Sequence, residues 1–177
     1  MNTLETIYSR RSIRSFSGEK ITTEERKEIL KAAYAAPVGR AMYDTLSLTV
    51  IENKEVLAQW EKAMAEAVGN PDMHPFYGAP TVILVSSVVG EGAMSNVNYS
   101  NAATVVQNMA LAATELGVGA CHIWGAVGVL GANEELKARL KIAEPMRPCC
   151  AIALGKINEK YEIRDIPENR IKTEYVD

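Results

Sequence analysis

The sequence is short of the residues from which most acid–base and metal sites are built. It has two histidines, His74 and His122, far apart and outside any zinc-type spacing, so a metal site is not expected. Its three cysteines, Cys121, Cys149 and Cys150, are odd in number and lack CxxC spacing. The last two adjoin inside an apolar run, where free buried thiols are the expectation and a reducing cytoplasm the fitting compartment. No GxGxxG follows a strand and no GxxxxGK[ST] occurs, which excludes a written dinucleotide fingerprint and a P-loop. A GxSxG nucleophile elbow is also missing.

Targeting signals are equally scarce. No basic region followed by an apolar run opens the chain, so a secretory leader is not expected. The best membrane candidate, "LGVGACHIWGAVGVLGA" at 116–132, falls short of the ~20 residues a spanning helix needs, and it carries five glycines and His122. A formal net charge of −3 leaves no broad basic face for nucleic acid or anionic lipid. Neither kind of partner is expected.

What is present describes an ordinary domain. The 177 residues are 47% hydrophobic and 23% charged, enough for one substantial core. No linker or repeat divides them. Asn2 or Thr3 is placed to cap a first helix ending near Ser9, and Thr22 with Glu25 forms a Thr-x-x-Glu capping box ahead of "ERKEILKAAYAA", which Pro37 stops. "TLSLTVI" at 45–51 reads as a strand. Asn53 caps a helix whose apolar face is Val56, Leu57, Trp60, Met64 and Val68, with Gly69 at its end. "TVILVSSVV" is apolar enough for a central strand covered on both faces.

"NVNYSNAATVVQNMALAATEL" follows as a long, small-residue helix, suited to close packing within the chain or across a dimer. "ACHIW" and "CCAIALG" are further strands, with the helix "NEELKARLKI" between them. The polar tail from about residue 157 is too short for its own domain and is either disordered or draped over a neighbour. Long helices with four or five strands make an α+β layer structure.

One stretch stands out. "RRSIRSF" crowds Arg10, Arg11, Ser12 and Arg14 into five positions of an acidic chain. A run of like charge is ordinarily a solvated face. The alternative is a bound anion: guanidinium forks and a hydroxyl match phosphate oxygens, while Ile13 and Phe16 anchor the segment in the core. A second pair, Arg170 and Lys172 in "ENRIK", would close such a site if the tail folds back.

These residues, with the "AAP" that ends the second helix, "QNMALAATELGVGACHIWG" and the terminal "NRIK", in this order over nearly the whole chain, resemble the FMN-dependent nitroreductase family. The resemblance implies an α+β three-layer sandwich with a central mixed sheet flanked by helices. It also implies one domain over residues 1–177, forming an intertwined homodimer with FMN at two interfacial sites and the tail packed on the partner subunit. Arg10 and Ser12 then hold the ribityl phosphate end, Arg11 contributes through its backbone, and Arg14 reaches the N1/O2 side of the flavin. There a cation stabilises the charge of the reduced ring. Arg170 and Lys172 correspond to a terminal phosphate clamp.

Ile123, Trp124 and Gly125 fall in the loop whose main-chain N–H groups face flavin N5. For Trp124 simple core packing is the competing reading, and His122 reads as structural. Gln107 and Asn108 read as satisfying buried polar contacts. The implied activity is hydride transfer from NADH or NADPH to a small acceptor such as a nitroaromatic or quinone, by a ping-pong scheme with no side-chain acid or base.

One segment departs from the family pattern. Many members follow "AAP" with small residues and then Asn-x-Gln-Pro-Trp, whereas this chain reads "VGRAMYD" at 38–44. Ala41 stands where the Asn would be, followed by Met42, Tyr43 and Asp44, and Arg40 is the one residue nearby that could compensate. The change bears on substrate scope and leaves phosphate binding untouched. It also keeps two alternatives open: a flavin-binding protein without nicotinamide turnover, and a flavin enzyme with a specialised reaction.

Overall fold

A computed structural model describes residues 1–177. Helix α1 (Thr3–Ser9) starts at Asn2, whose side chain accepts from the Glu5 amide while Glu5 reaches back, and α2 (Thr23–Tyr34) starts at the Thr22–Glu25 capping box. β1 (Leu46–Ile51) leads into α3 (Lys54–Val68), capped by Asn53 and closed by Gly69 in the left-handed region at φ 66°. Then come β2 (Thr81–Val88), α4 (Ala93–Glu115), β3 (Gly119–Ile123), the short α5 (Gly125–Gly128), α6 (Glu134–Arg139) and β4 (Met146–Gly155).

The strands form one sheet in the order β1-β2-β4-β3. The sheet is antiparallel at every pairing, where the sequence reading expected a mixed one. The reason lies in the connections. The α4 crossover makes β2 and β3 run in the same direction, but β4 inserts between them, so no two parallel strands share hydrogen bonds.

Two apolar layers sandwich this sheet. On one face Ile29, Ala33, Val106, Met109 and Ala113 of α2 and α4 pack on Ile83, Val85, Ile152 and Leu154. On the other, Leu57 and Trp60 of α3, with Leu136 and Leu140, pack on Val82, Leu84, Ala151 and Ala153. Alternate residues of β2 and β4 thus enter opposite cores, as the doubly covered strand requires. Each fully buried large side chain contributes about 1.5–3 kcal/mol. Trp60 adds a directional tie, its indole N–H donating to the Ala126 carbonyl at 2.6 Å and pinning α3 to α5.

No helix is long and apolar enough to cross a membrane. The cysteines are all unpaired, and burial pushes the Cys149 and Cys150 thiols up to about 11 and about 12.

Candidate functional site

The stretch after α1 lies along the free edge of β3. The Ile13 amide donates to the Ala120 carbonyl at 2.9 Å, the Ser17 amide to the Lys156 carbonyl at 2.9 Å, and the Lys156 amide to the Glu19 carbonyl at 3.1 Å. An extended backbone held this way alternates its side chains. Ile13 points inward at 1% exposure, while Arg14 faces outward and Ser12 is half-buried. Phe16 lies over Gly119 and Gly155. A Cβ at Gly119 would stand 3.0 Å from its Cε1, and one at Gly155 2.9 Å from its Cδ1, so both glycines are needed for the ring to seat.

Above β3 the cations gather. Burial pushes the Cys121 thiol up, opposed by the Arg14 charge, a hydrogen bond with the Ser12 side chain, and the Arg10 charge. Burial holds the His122 imidazole below its ordinary range, and Arg10 pushes the same way. The Arg10 charge thus bears on both Cys121 and His122 of β3, and the Arg14 charge on Cys121. Nε2 of His122 is buried without a hydrogen-bond partner.

Arg11 turns elsewhere. Its guanidinium binds Glu159 at 2.5 Å and the Lys160 carbonyl at 3.3 Å and lies 5.9 Å from the Tyr161 ring centre, which ties down the start of the tail. Tyr161 in turn donates to the Val118 carbonyl at 2.9 Å.

The tail contributes an arginine that sequence reasoning missed. Arg164 donates from Nε to the Tyr8 carbonyl at 2.9 Å and from its amide to the same oxygen at 3.3 Å, at the end of α1. Burial lowers its pKa, and the charges of Arg10, Arg170 and Arg11 lower it further. Three other arginines thus bear on Arg164 electrostatically, and Arg11–Glu159 is the one ion pair any of the four makes. Arg170 acts on Arg164 from an exposed position. Lys172 is not brought in; it pairs with Glu174 at 2.5 Å and is 86% exposed. Nothing around Arg164 in the sequence marks it, since its partner lies 156 positions away.

The segment after β3 presents Trp124 at 53% exposure, which removes core packing as its role. Ile123 buries its side chain and can offer a ligand only its main chain, and Gly125 is exposed at the start of α5. The departing segment 38–44 is held by α4: the Gly39 amide donates to Asn101 Oδ1 at 2.8 Å, and Arg40 and Ala41 both take left-handed backbone at φ 59° and 53°. Arg40 makes no hydrogen bond or ion pair. As the sequence reading expected, Asn108 satisfies a polar contact, donating to the Ala32 carbonyl at 3.1 Å.

Arginines with one ion pair among them, on a chain of net charge −3, are chemistry for a dianion with several acceptor oxygens. The Nitroreductase family model matches residues 7–156. The chain belongs to the nitroreductase family. It superposes with a TM-score of 0.83 and 27% identity, over 100% of both chains, on a nitroreductase with bound FMN from Desulfitobacterium hafniense. A nitroreductase with bound FMN from Bacteroides fragilis gives 0.82 and 26%, over 99% of this chain and 100% of that one. Among curated relatives, "FMN reductase (NADPH)" of Bacillus subtilis is 28% identical over 165 residues, 87% of this chain. The chain spans 65% of that relative's length. The α+β sandwich expected from sequence is the fold of the family.

Proposed function

We propose that this nitroreductase-family protein is an FMN-dependent oxidoreductase that takes hydride from NADH or NADPH and reduces a small acceptor, a nitroaromatic or a quinone. The observation that carries the proposal is the group of Arg10, Arg11, Arg164 and Arg170, in which the other three charges bear on an Arg164 held at the Tyr8 carbonyl and Arg11–Glu159 is the one ion pair. Repulsion within it is offset when a phosphate binds, each charge-assisted bond contributing about 1.5–3 kcal/mol. The donor set therefore fits the phosphate end of FMN. Bound FMN would supply the two-electron redox chemistry in alternating half-reactions, which explains why the chain needs no general acid or base of its own.

The protein's residues then divide the remaining work. Arg10, Ser12 and Arg164, fixed by β3 and by the Tyr8 carbonyl, hold the phosphate. Arg14 supplies a cation to the pyrimidine side of the ring system, and the main chain of Ile123, Trp124 and Gly125 supports its reactive edge. Arg170 closes the phosphate end, and Lys172 does so only in the assembled protein.

That assembly is a homodimer. Leu4, Ile7 and Tyr8 of α1 are 58%, 41% and 41% exposed, an apolar face that a second copy would cover. β1 is an uncovered sheet edge, and Ile171, Tyr175 and Val176 of the tail are 77%, 88% and 96% exposed. The tail beyond Arg164 packs on the partner subunit in this reading. Three free thiols suit a reducing cytoplasm.

The test is anaerobic. Protein loaded with FMN should lose its yellow absorbance on adding NADH or NADPH and regain it when a quinone is supplied. Flavin that binds but stays oxidised with both donors would leave a flavin-binding protein without nicotinamide turnover. Failure to bind FMN at all would reject the reading entirely.

A further inference from the structure

Arg14 is a long exposed side chain with no ion pair, yet it is not free. Its guanidinium carbon lies 5.8 Å from the centre of the Tyr77 ring, within cation–π range. Tyr77 comes from the distant loop 69–80 between α3 and β2, a segment the sequence reading assigned no role.

The way this loop holds Tyr77 is unusual. Phe76 is buried at 1% exposure and meets Trp60 edge-on, with ring centres 4.9 Å apart. That contact nails the loop to the core one residue before the tyrosine. Tyr77 itself has φ 55°, and Gly78 follows at φ 77°. The Tyr77 amide donates to the His74 carbonyl at 3.0 Å and the Ala79 amide to the Phe76 carbonyl at 2.9 Å, so a tight turn enforces the left-handed backbone. A bulky aromatic there is strained where glycine or asparagine would be comfortable. The turn carries Tyr77 out of the core, leaving the residue 39% exposed with its ring toward Arg14.

We propose that Tyr77 is a positioning residue whose ring holds the Arg14 guanidinium ready at the flavin site. An exposed arginine samples many rotamers and must give most of them up on binding. Resting on Tyr77, Arg14 has surrendered part of that freedom beforehand, which tightens binding without any contact between Tyr77 and the flavin phosphate. The inference rests on the flavin reading above, with Arg14 at the ring system and not at the phosphate.

The experiment compares Tyr77→Phe, Tyr77→Leu, Arg14→Ala and the Tyr77→Leu/Arg14→Ala double variant. Dissociation constants for FMN and for riboflavin are measured by fluorescence titration. Leucine keeps the strained backbone and removes the ring; phenylalanine keeps both. Tyr77→Leu is expected to weaken both ligands by about two- to fivefold, the scale of an exposed cation–π contact, with Tyr77→Phe matching the parent. In the Arg14→Ala background the leucine change should have no further effect. In the flavin-free protein, the Arg14 Nε–H resonance should be shifted by the ring in the parent and in Tyr77→Phe, but not in Tyr77→Leu. A merely structural tyrosine moves neither the coupling nor that resonance.

Additive losses, or an Arg14 resonance indifferent to Tyr77→Leu, overturn this proposal while leaving the flavin reading intact. A parent protein that binds neither flavin overturns both.

Discussion

The two cationic regions of the molecule are held in opposite ways. Arg10 to Phe16 is stitched to β3 by the Ile13 amide on the Ala120 carbonyl and anchored by Ile13 and Phe16, with Ser17 bonded just beyond to Lys156, so that Arg14 faces out where Ile13 faces in. The tail has no regular element after β4 and is held at three separate points: Arg11 on Glu159 and the Lys160 carbonyl, Tyr161 on Val118, Arg164 on Tyr8. Beyond Arg164 no side chain of the tail bonds to the body of the chain. A site built from both is rigid on one side and conditional on the other. In the proposed site the rigid side would set where the FMN phosphate sits, and the conditional side how tightly it is held.

That comparison is broken most severely at Arg10. It bears on Cys121, His122 and Arg164 together, from the stitched side. Arg10→Ala should weaken FMN binding by roughly 10- to 150-fold, the worth of one charge-assisted hydrogen bond, and leave riboflavin binding nearly unchanged, because riboflavin lacks the phosphate. Titration with the two ligands checks this. Equal losses for both would move Arg10 away from the phosphate.

The conditional side should respond less and in graded fashion. Arg164→Ala is expected to cost about tenfold in FMN affinity, and truncation after Glu168, which removes Arg170 and Lys172, less than Arg164→Ala if only one subunit's cations count. A dimer with a crossing tail predicts more: the truncated protein should also shift toward monomer in sedimentation at micromolar concentration. Truncated protein that stays dimeric and binds FMN like the parent would make the last residues irrelevant to both.

Why one side was legible in sequence and the other was not follows from how each is held. Capping boxes at Asn2 and Thr22, the Asn53 cap and the Gly69 stop are local devices, readable within four residues. Crowding of Arg10, Ser12 and Arg14 is local too, and so was visible. Arg164 owes its place to an oxygen 156 positions away, and Tyr77 to a turn whose left-handed backbone no residue type announces. β4 begins three residues earlier than "CCAIALG" because Met146 to Pro148 pair with β2, a long-range contact that Pro148 argues against locally. Lys172 shows the other side of locality. It neighbours Arg170 in sequence, but its own exposed partner, Glu174, holds it apart.

The smallest expected effect sharpens the comparison through pH. Lys156, which shares two main-chain bonds with the stitched segment, also pairs with Glu25 at 2.5 Å. Burial pushes the Glu25 carboxyl up, but the bonds from the Lys156 ammonium and the Thr22 amide outweigh it and hold it below its ordinary 4.5. A carboxyl depressed in the folded state adds stability above its unfolded pKa, and this is lost as pH falls through the folded value. The pair is partly exposed, so the contribution is under about 1 kcal/mol. In urea unfolding, the parent should lose stability relative to Glu25→Gln between neutral pH and the acid side of 4.5, the two converging once the carboxyl is protonated. The convergence should be the same with the tail present or removed after Glu168, since this latch belongs to the stitched side alone. A difference that persists unchanged into acid would mean the carboxylate's charge does not tighten that side.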